Sequence, residues 1–174
     1  MMTSIVLTVI GQDKPGLVSA ISQRITAAGG NWLDSRMASL AGKFAGLLLV
    51  SVPREKAEAL IASLQALEQE GLRLVIERGI SEVSAPTGRM LKLELTGHDR
   101  PGIVRDISET LARRKVNIEE METAFFSGSF SGEDMFEMRA TLRAPAELTD
   151  TALRQALENL ANNLMVDISL DVAA

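Results

Sequence analysis

Two short runs carry the residues best suited to chemistry. Gly11-Gln12-Asp13-Lys14-Pro15-Gly16-Leu17-Val18 returns 86 residues later as Gly97-His98-Asp99-Arg100-Pro101-Gly102-Ile103-Val104. Five of the eight positions are identical, and Lys14/Arg100 keep their charge. A Pro-Gly pair after a strand is a place where a helix starts. The first turn of a helix carries unpaired backbone N–H groups and partial positive charge, which suit a carboxylate or another small anion. Gly16 and Gly102 lack the Cβ that would stand between a ligand and the backbone. Asp13 and Asp99 can accept hydrogen bonds from an ammonium group. Asn31 and Asn117, at the same offset, start the next strand and are expected near the same loop, with donors and an acceptor. Together these groups suit a zwitterionic amino acid. The plainer account is that Asp before Pro-Gly is ordinary helix-start chemistry and Asn after glycine closes a turn.

Other chemistry finds little support. His98 is the only histidine and faces Gln12 in the repeat, so no duplicated general base exists. There is no cysteine, which removes disulfides, thiolate catalysis and cysteine-ligated metals. Glu119, Glu120 and Glu122 alternate along a strand and read as a solvated edge. Glu133 and Asp134 lack metal-ligand spacing. No GxGxxG, P-loop or nucleophile elbow occurs. The expectation is a protein that is not an enzyme and needs no cofactor or metal.

Charge bears on partners. Residues 1–80 carry 8 basic and 7 acidic side chains, whereas 81–174 carry 10 and 16. Neither half has the basic stripe that phosphate binding needs, so direct nucleic-acid binding is disfavoured. An RNA-binding sheet needs exposed aromatics, whereas Phe44, Phe125 and Phe136 are expected in the core. An acylphosphatase-like cradle would meet repulsion from Asp13 and Asp99. No apolar run approaches the length of a membrane span, and no basic-then-apolar leader precedes Ile5; a soluble cytoplasmic protein is expected.

The elements that position these loops follow from periodicity. Ile5, Leu7 and Val9 alternate as in a strand buried on one face. Leu17, Ile21 and Ile25 mark a helical stripe opening at Pro15, and Gly29-Gly30 ends it. Asn31 to about Leu40 and Phe44 to Val52 read as strands. A helix opens at Pro53 with Leu60, Ile61 and Leu64 inward, and Leu72 to Glu77 reads as a fourth strand. The second half repeats this order from Leu91 to Leu170, with six extra residues around Ser127-Gly128-Ser129-Phe130-Ser131-Gly132. The expected architecture is α+β: two tandem ferredoxin-like βαββαβ domains, antiparallel sheets with helices on one face. Domain boundaries are expected at 1–80 and 90–174, with 81–89 as linker.

The two Asp-Lys/Arg-Pro-Gly loops, each followed fifteen residues after its Gly by Asn31 or Asn117, resemble the ACT domain. The likeness covers nearly the whole chain. The run Gly30-Asn31-Trp32-Leu33-Asp34-Ser35-Arg36 is further similar to tandem-ACT proteins of the glycine cleavage system transcriptional repressor type. The resemblance implies amino-acid binding at interfaces between ACT domains. Carried onto this chain, it selects Asp13, Pro15, Gly16 and Asn31, and Asp99, Pro101, Gly102 and Asn117. Some amino-acid-binding ACT domains have Asn at the positions of Asp13 and Asp99, and His at those of Gly11 and Gly97; this chain departs from both. The resemblance also implies a non-enzymatic sensor of a small amino acid such as glycine, acting on transcription through a DNA-binding activator protein. The alternatives are an allosteric subunit that modulates a metabolic enzyme and a ligand-free assembly module. Small cores make a homodimer plausible.

Overall fold

A computed structural model describes residues 1–78, 87–128 and 132–173. Most of the expected linker (81–86) and Ser129-Phe130-Ser131 of the expected loop lie outside the described residues. The chain divides into two compact units, Met1–Ala85 and Pro86–Ala174.

In the first unit, β1 (Met2–Gln12) sends Ile5, Leu7 and Val9 into the core. The helix α1 (Leu17–Ala27) covers them with Leu17, Ile21 and Ile25, spaced four apart on one face. It begins two residues after Pro15, because Gly16 takes a left-handed conformation and acts as the N-cap. Strands β2 (Asn31–Leu40) and β3 (Lys43–Pro53) join through Ala41 and Gly42, both at positive φ, as a two-residue hairpin turn requires. The helix expected from Pro53 is three pieces: a 3-10 turn (Arg54–Lys56), α2 (Ala57–Gln65) and a second 3-10 turn (Ala66–Glu70). Gly71 at φ 90° turns the chain into β4 (Leu72–Arg78). The sheet order is β2-β3-β1-β4, antiparallel between neighbours.

The second unit repeats the plan with β5 (Arg89–His98), α3 (Ile103–Ala112), β6 (Asn117–Ser127), β7 (Asp134–Ala144), α4 (Asp150–Leu164) and β8 (Val166–Val172). Its order is β6-β7-β5-β8. The Ala152 N–H donates to the Thr149 hydroxyl at the start of α4, a side-chain cap. The edge strands β2 and β6 each carry a register shift two residues after their asparagine, between Trp32 and Asp34 and between Ile118 and Glu120. The βαββαβ order expected from the repeat is therefore present twice, with one aliphatic core per unit.

One aromatic expectation fails. Phe44 is buried and Phe136 packs against the core, but Phe125 is 60% exposed. It lies on the edge strand β6, where all residues after Ile118 are exposed. No helix among the described residues is long and apolar enough to cross a membrane.

Candidate functional site

Each loop is anchored from two sides. The Asp13 N–H donates to the Gly42 carbonyl (3.0 Å), and the Asp99 N–H donates to that of Asp134 (2.8 Å). The Lys14 ammonium donates to the Glu70 carbonyl (3.1 Å), and Arg100 donates to the Leu164 carbonyl (3.3 Å). Both carbonyls close the helical segment that precedes the last strand of their unit. A cation there satisfies a terminal carbonyl and complements the negative helix end. The charge kept between the two runs thus ties loop to helix, a role visible in the sequence only as the repeated cation.

Gly16 (φ 95°) and Gly102 (φ 98°) stand in the left-handed region, which only glycine enters at no steric cost. A Cβ added at Gly16 meets nothing within 4 Å, so backbone conformation and not crowding selects the glycine there. At Gly102 it would meet the tip of the flexible Arg105 side chain. Neither α1 nor α3 has a side-chain cap at its N-terminus. The first turn of α1 contains no acidic residue, whereas that of α3 holds Asp106, paired with Arg105 at 2.8 Å. Pro15 and Pro101 are exposed in the turn beside these N–H groups.

The asparagines do not join their loops. Asn31 lies opposite Ser51, which lies opposite Ser4; the loop follows Gln12 at the other end of β1. Eight residues of strand separate the two levels, roughly 26 Å. In the second unit Asn117 is level with Arg143 and Met90, while the loop follows His98. The cause is topological. The helix returns the chain to the starting end of the first strand, so the second strand begins there and runs toward the loop, which its far end reaches and its asparagine does not. What reaches the first loop instead is the far end of β2, where the Ser39 hydroxyl donates to Asp13 Oδ2 at 2.5 Å. In the second unit, His98 Nδ1 lies 3.3 Å from Glu133 Oε2, and Ser127 donates to Asp134 (3.2 Å).

The two copies have diverged in opposite senses. Asp13 is engaged by Ser39, while the Asp99 carboxylate has no side-chain partner among the described residues. Asn117 donates from Nδ2 to Glu119 Oε1 (2.9 Å), and Arg143 Nε donates to the same oxygen (2.9 Å). These bonds, Asn117 first and Arg143 second, hold the Glu119 carboxyl below its ordinary value. The Asn31 amide has no side-chain partner among the described residues. Trp32 beside it packs against the core and donates from its indole to Ser35 Oγ (3.2 Å).

A depression of about 250 Å³ lies elsewhere, at the C-terminal end of α3, among Arg113, Arg114, Lys115, Pro145, Glu147 and Leu148. Among the described residues no three His, Cys, Asp or Glu side chains are grouped to hold a metal ion.

Residues 3–77 and 89–171, which between them contain both anchored loops and both sheets, match the model of the ACT domain. The chain belongs to the ACT domain family. Along 170 residues it is 24% identical to the glycine cleavage system transcriptional repressor of Escherichia coli (strain K12), over 97% of this chain and 89% of that protein. The same figures hold for the protein of that name from Shigella flexneri. A crystal structure of an unknown protein from Galdieria sulphuraria superposes with a TM-score of 0.90 at 30% identity, covering 100% of both chains. The structure of a candidate glycine cleavage system transcriptional repressor superposes with a TM-score of 0.72 at 21% identity, covering 99% of this chain and 98% of that one. Such tandem ACT architecture is thus shared from end to end.

Proposed function

We propose that this ACT-domain protein is a non-enzymatic amino-acid sensor that regulates transcription of glycine cleavage genes through contact with a DNA-binding activator protein. The observation that carries this reading is the end-to-end similarity to the Escherichia coli repressor, with both ACT units included. The excess of acid over base in the second half disfavours gripping DNA directly, which favours action through a protein partner. We assign the protein to the cytoplasm, where such a partner works.

The ligand is a small amino acid, glycine or a small polar one, because no aromatic residue stands in either loop. Its carboxylate takes the uncapped N–H groups after Gly102, and its ammonium takes the Asp99 carboxylate. Asp99 is preferred over Asp13, whose carboxylate already holds the Ser39 hydroxyl. Asn31 and Asn117 cannot reach a small ligand held by the loop of their own unit. They enter a site only where a second ACT domain supplies them, as the family's binding at interfaces implies. Ligand then shifts the population of the state that holds the partner.

Affinity capture of the full chain from its source cell, with and without glycine, tests the regulatory part. Recovery of a DNA-binding activator whose yield changes with the amino acid is the expected result. Recovery of a metabolic enzyme in its place would overturn the transcriptional assignment in favour of an enzyme-modulating subunit.

A further inference from the structure

The two sheets are built alike, yet their outer faces differ. Strand alternation turns Ile10, Leu47 and Val75 away from the first core, and they are 46%, 53% and 59% exposed. Thr8 stands between Leu47 and Val75 in one row and Ile10 is one row away, so three exposed aliphatic side chains surround a single threonine on this face. The same register places Thr96, Arg139 and Ser169 at the corresponding positions of the second sheet. The fold therefore accepts polar side chains at these positions, and the first copy carries aliphatic ones there instead. An apolar sheet face left in water marks an interaction surface.

The rim indicates the occupant. Arg73 and Glu77 flank Val75 on β4, one row to either side, both exposed. Neither has an ion-pair or side-chain hydrogen-bond partner among the described residues. On the opposite edge Arg36, level with Leu47, pairs with Asp34 at 2.7 Å, so this arginine, which the two-fold below sets opposite its own copy, enters the contact already neutralised. A two-fold axis lying in the face, across the strands at the level of Thr8, Leu47 and Val75, exchanges the rows on its two sides. It brings Arg73 of one copy over Glu77 of the other, twice, while the aliphatic rows pack on each other. A surface complementary to itself under a two-fold is the signature of an isologous dimer.

We infer that the outer face of the β2-β3-β1-β4 sheet is the interface with a second copy of this chain. Four strands about 4.8 Å apart and five outward rows about 6.8 Å apart give roughly 500 Å² per copy. A pair buries on the order of 1,000 Å², the lower bound for a specific interface, so the dimer is reversible. The interface stands whether or not the loops bind an amino acid.

Sedimentation velocity of the full chain over a concentration series tests it, with circular dichroism to confirm folding of each variant. The wild type is expected to dimerise reversibly, and Leu47→Glu to run as a folded monomer. Arg73→Glu and Glu77→Arg are each expected to weaken the dimer by roughly tenfold or more, by setting like charges together. The double variant Arg73→Glu/Glu77→Arg recreates the pairs with signs exchanged and restores the dimer. A wild type that stays monomeric to its solubility limit overturns the inference, including the case where an unrelated protein covers the face. A dimer that survives Leu47→Glu, or a double reversal that recovers nothing, also overturns it.

Discussion

The Ser39 hydroxyl donates to the Asp13 carboxylate across 2.5 Å, tying the first loop to the far end of its edge strand. At the matching place in the second unit, the Asp99 carboxylate is left to solvent. At the other end of the sheets the asymmetry reverses. Asn117 is engaged by Glu119, and Asn31 is not engaged by any side chain among the described residues. One duplicated fold thus holds two non-equivalent sets of polar groups, and its variants should separate structural roles from ligand roles.

Lys14→Ala and Arg100→Ala should each destabilise their own unit by about 1 kcal/mol, through loss of the bond to a terminal helix carbonyl. Urea denaturation of each variant measures this. A loss of ligand affinity with unchanged stability would place these cations in the binding site instead.

Gly16→Ala tests the backbone argument. The new Cβ has open space around it, so the cost is that of holding alanine in the left-handed region, about 1 to 2 kcal/mol. Asn, which enters that region more readily, should recover part of the loss. Equal stability of wild type and Gly16→Ala in chemical denaturation would contradict the conformational explanation.

Glu119 makes a pH prediction with a definite sign. Its carboxyl is held below 4.5 in the folded chain by Asn117 and then Arg143. A depressed folded pKa contributes stability that is present above the unfolded value and is lost as pH falls through the folded one. Thermal melts of wild type and Glu119→Gln should therefore differ at neutral pH. The difference should shrink below pH 4.5. A difference that grows on acidification would rule out the assigned cause.

Much of the architecture was legible in residue patterns. The 86-residue repeat indicates the duplication, and the spacing of Leu17, Ile21 and Ile25 identifies the covering helix. The Pro-Gly pair locates the loop and its helix start, although the left-handed N-cap moves the first helical residue to Leu17. The level of Asn31 was implied by the βαβ order, in which a crossover helix carries the chain back to the start of the first strand, and the fifteen-residue spacing taken alone pointed to the wrong end. The partners Glu70 and Leu164 depend on the packing of a distant helix end, which local periodicity does not encode. Phe125 misled for a related reason: apolar character predicts burial only where another layer covers the strand, and the edge strand β6 is exposed along most of its length. The register shift at Glu119 likewise has no signal in the alternation of its neighbours.

The central claim, that the loop before α3 senses a small amino acid, is tested most directly by isothermal titration calorimetry of the full chain. The titrants are glycine and a panel of small free amino acids, with Asp99→Ala and Asp13→Ala in parallel. Saturable heat is expected for glycine or a small polar amino acid. Asp99→Ala should lose roughly tenfold or more in affinity, as expected when a charge-assisted hydrogen bond is removed, and Asp13→Ala should lose less. Silence across the whole panel, or binding unaffected by Asp99→Ala, would contradict a sensing role for this loop.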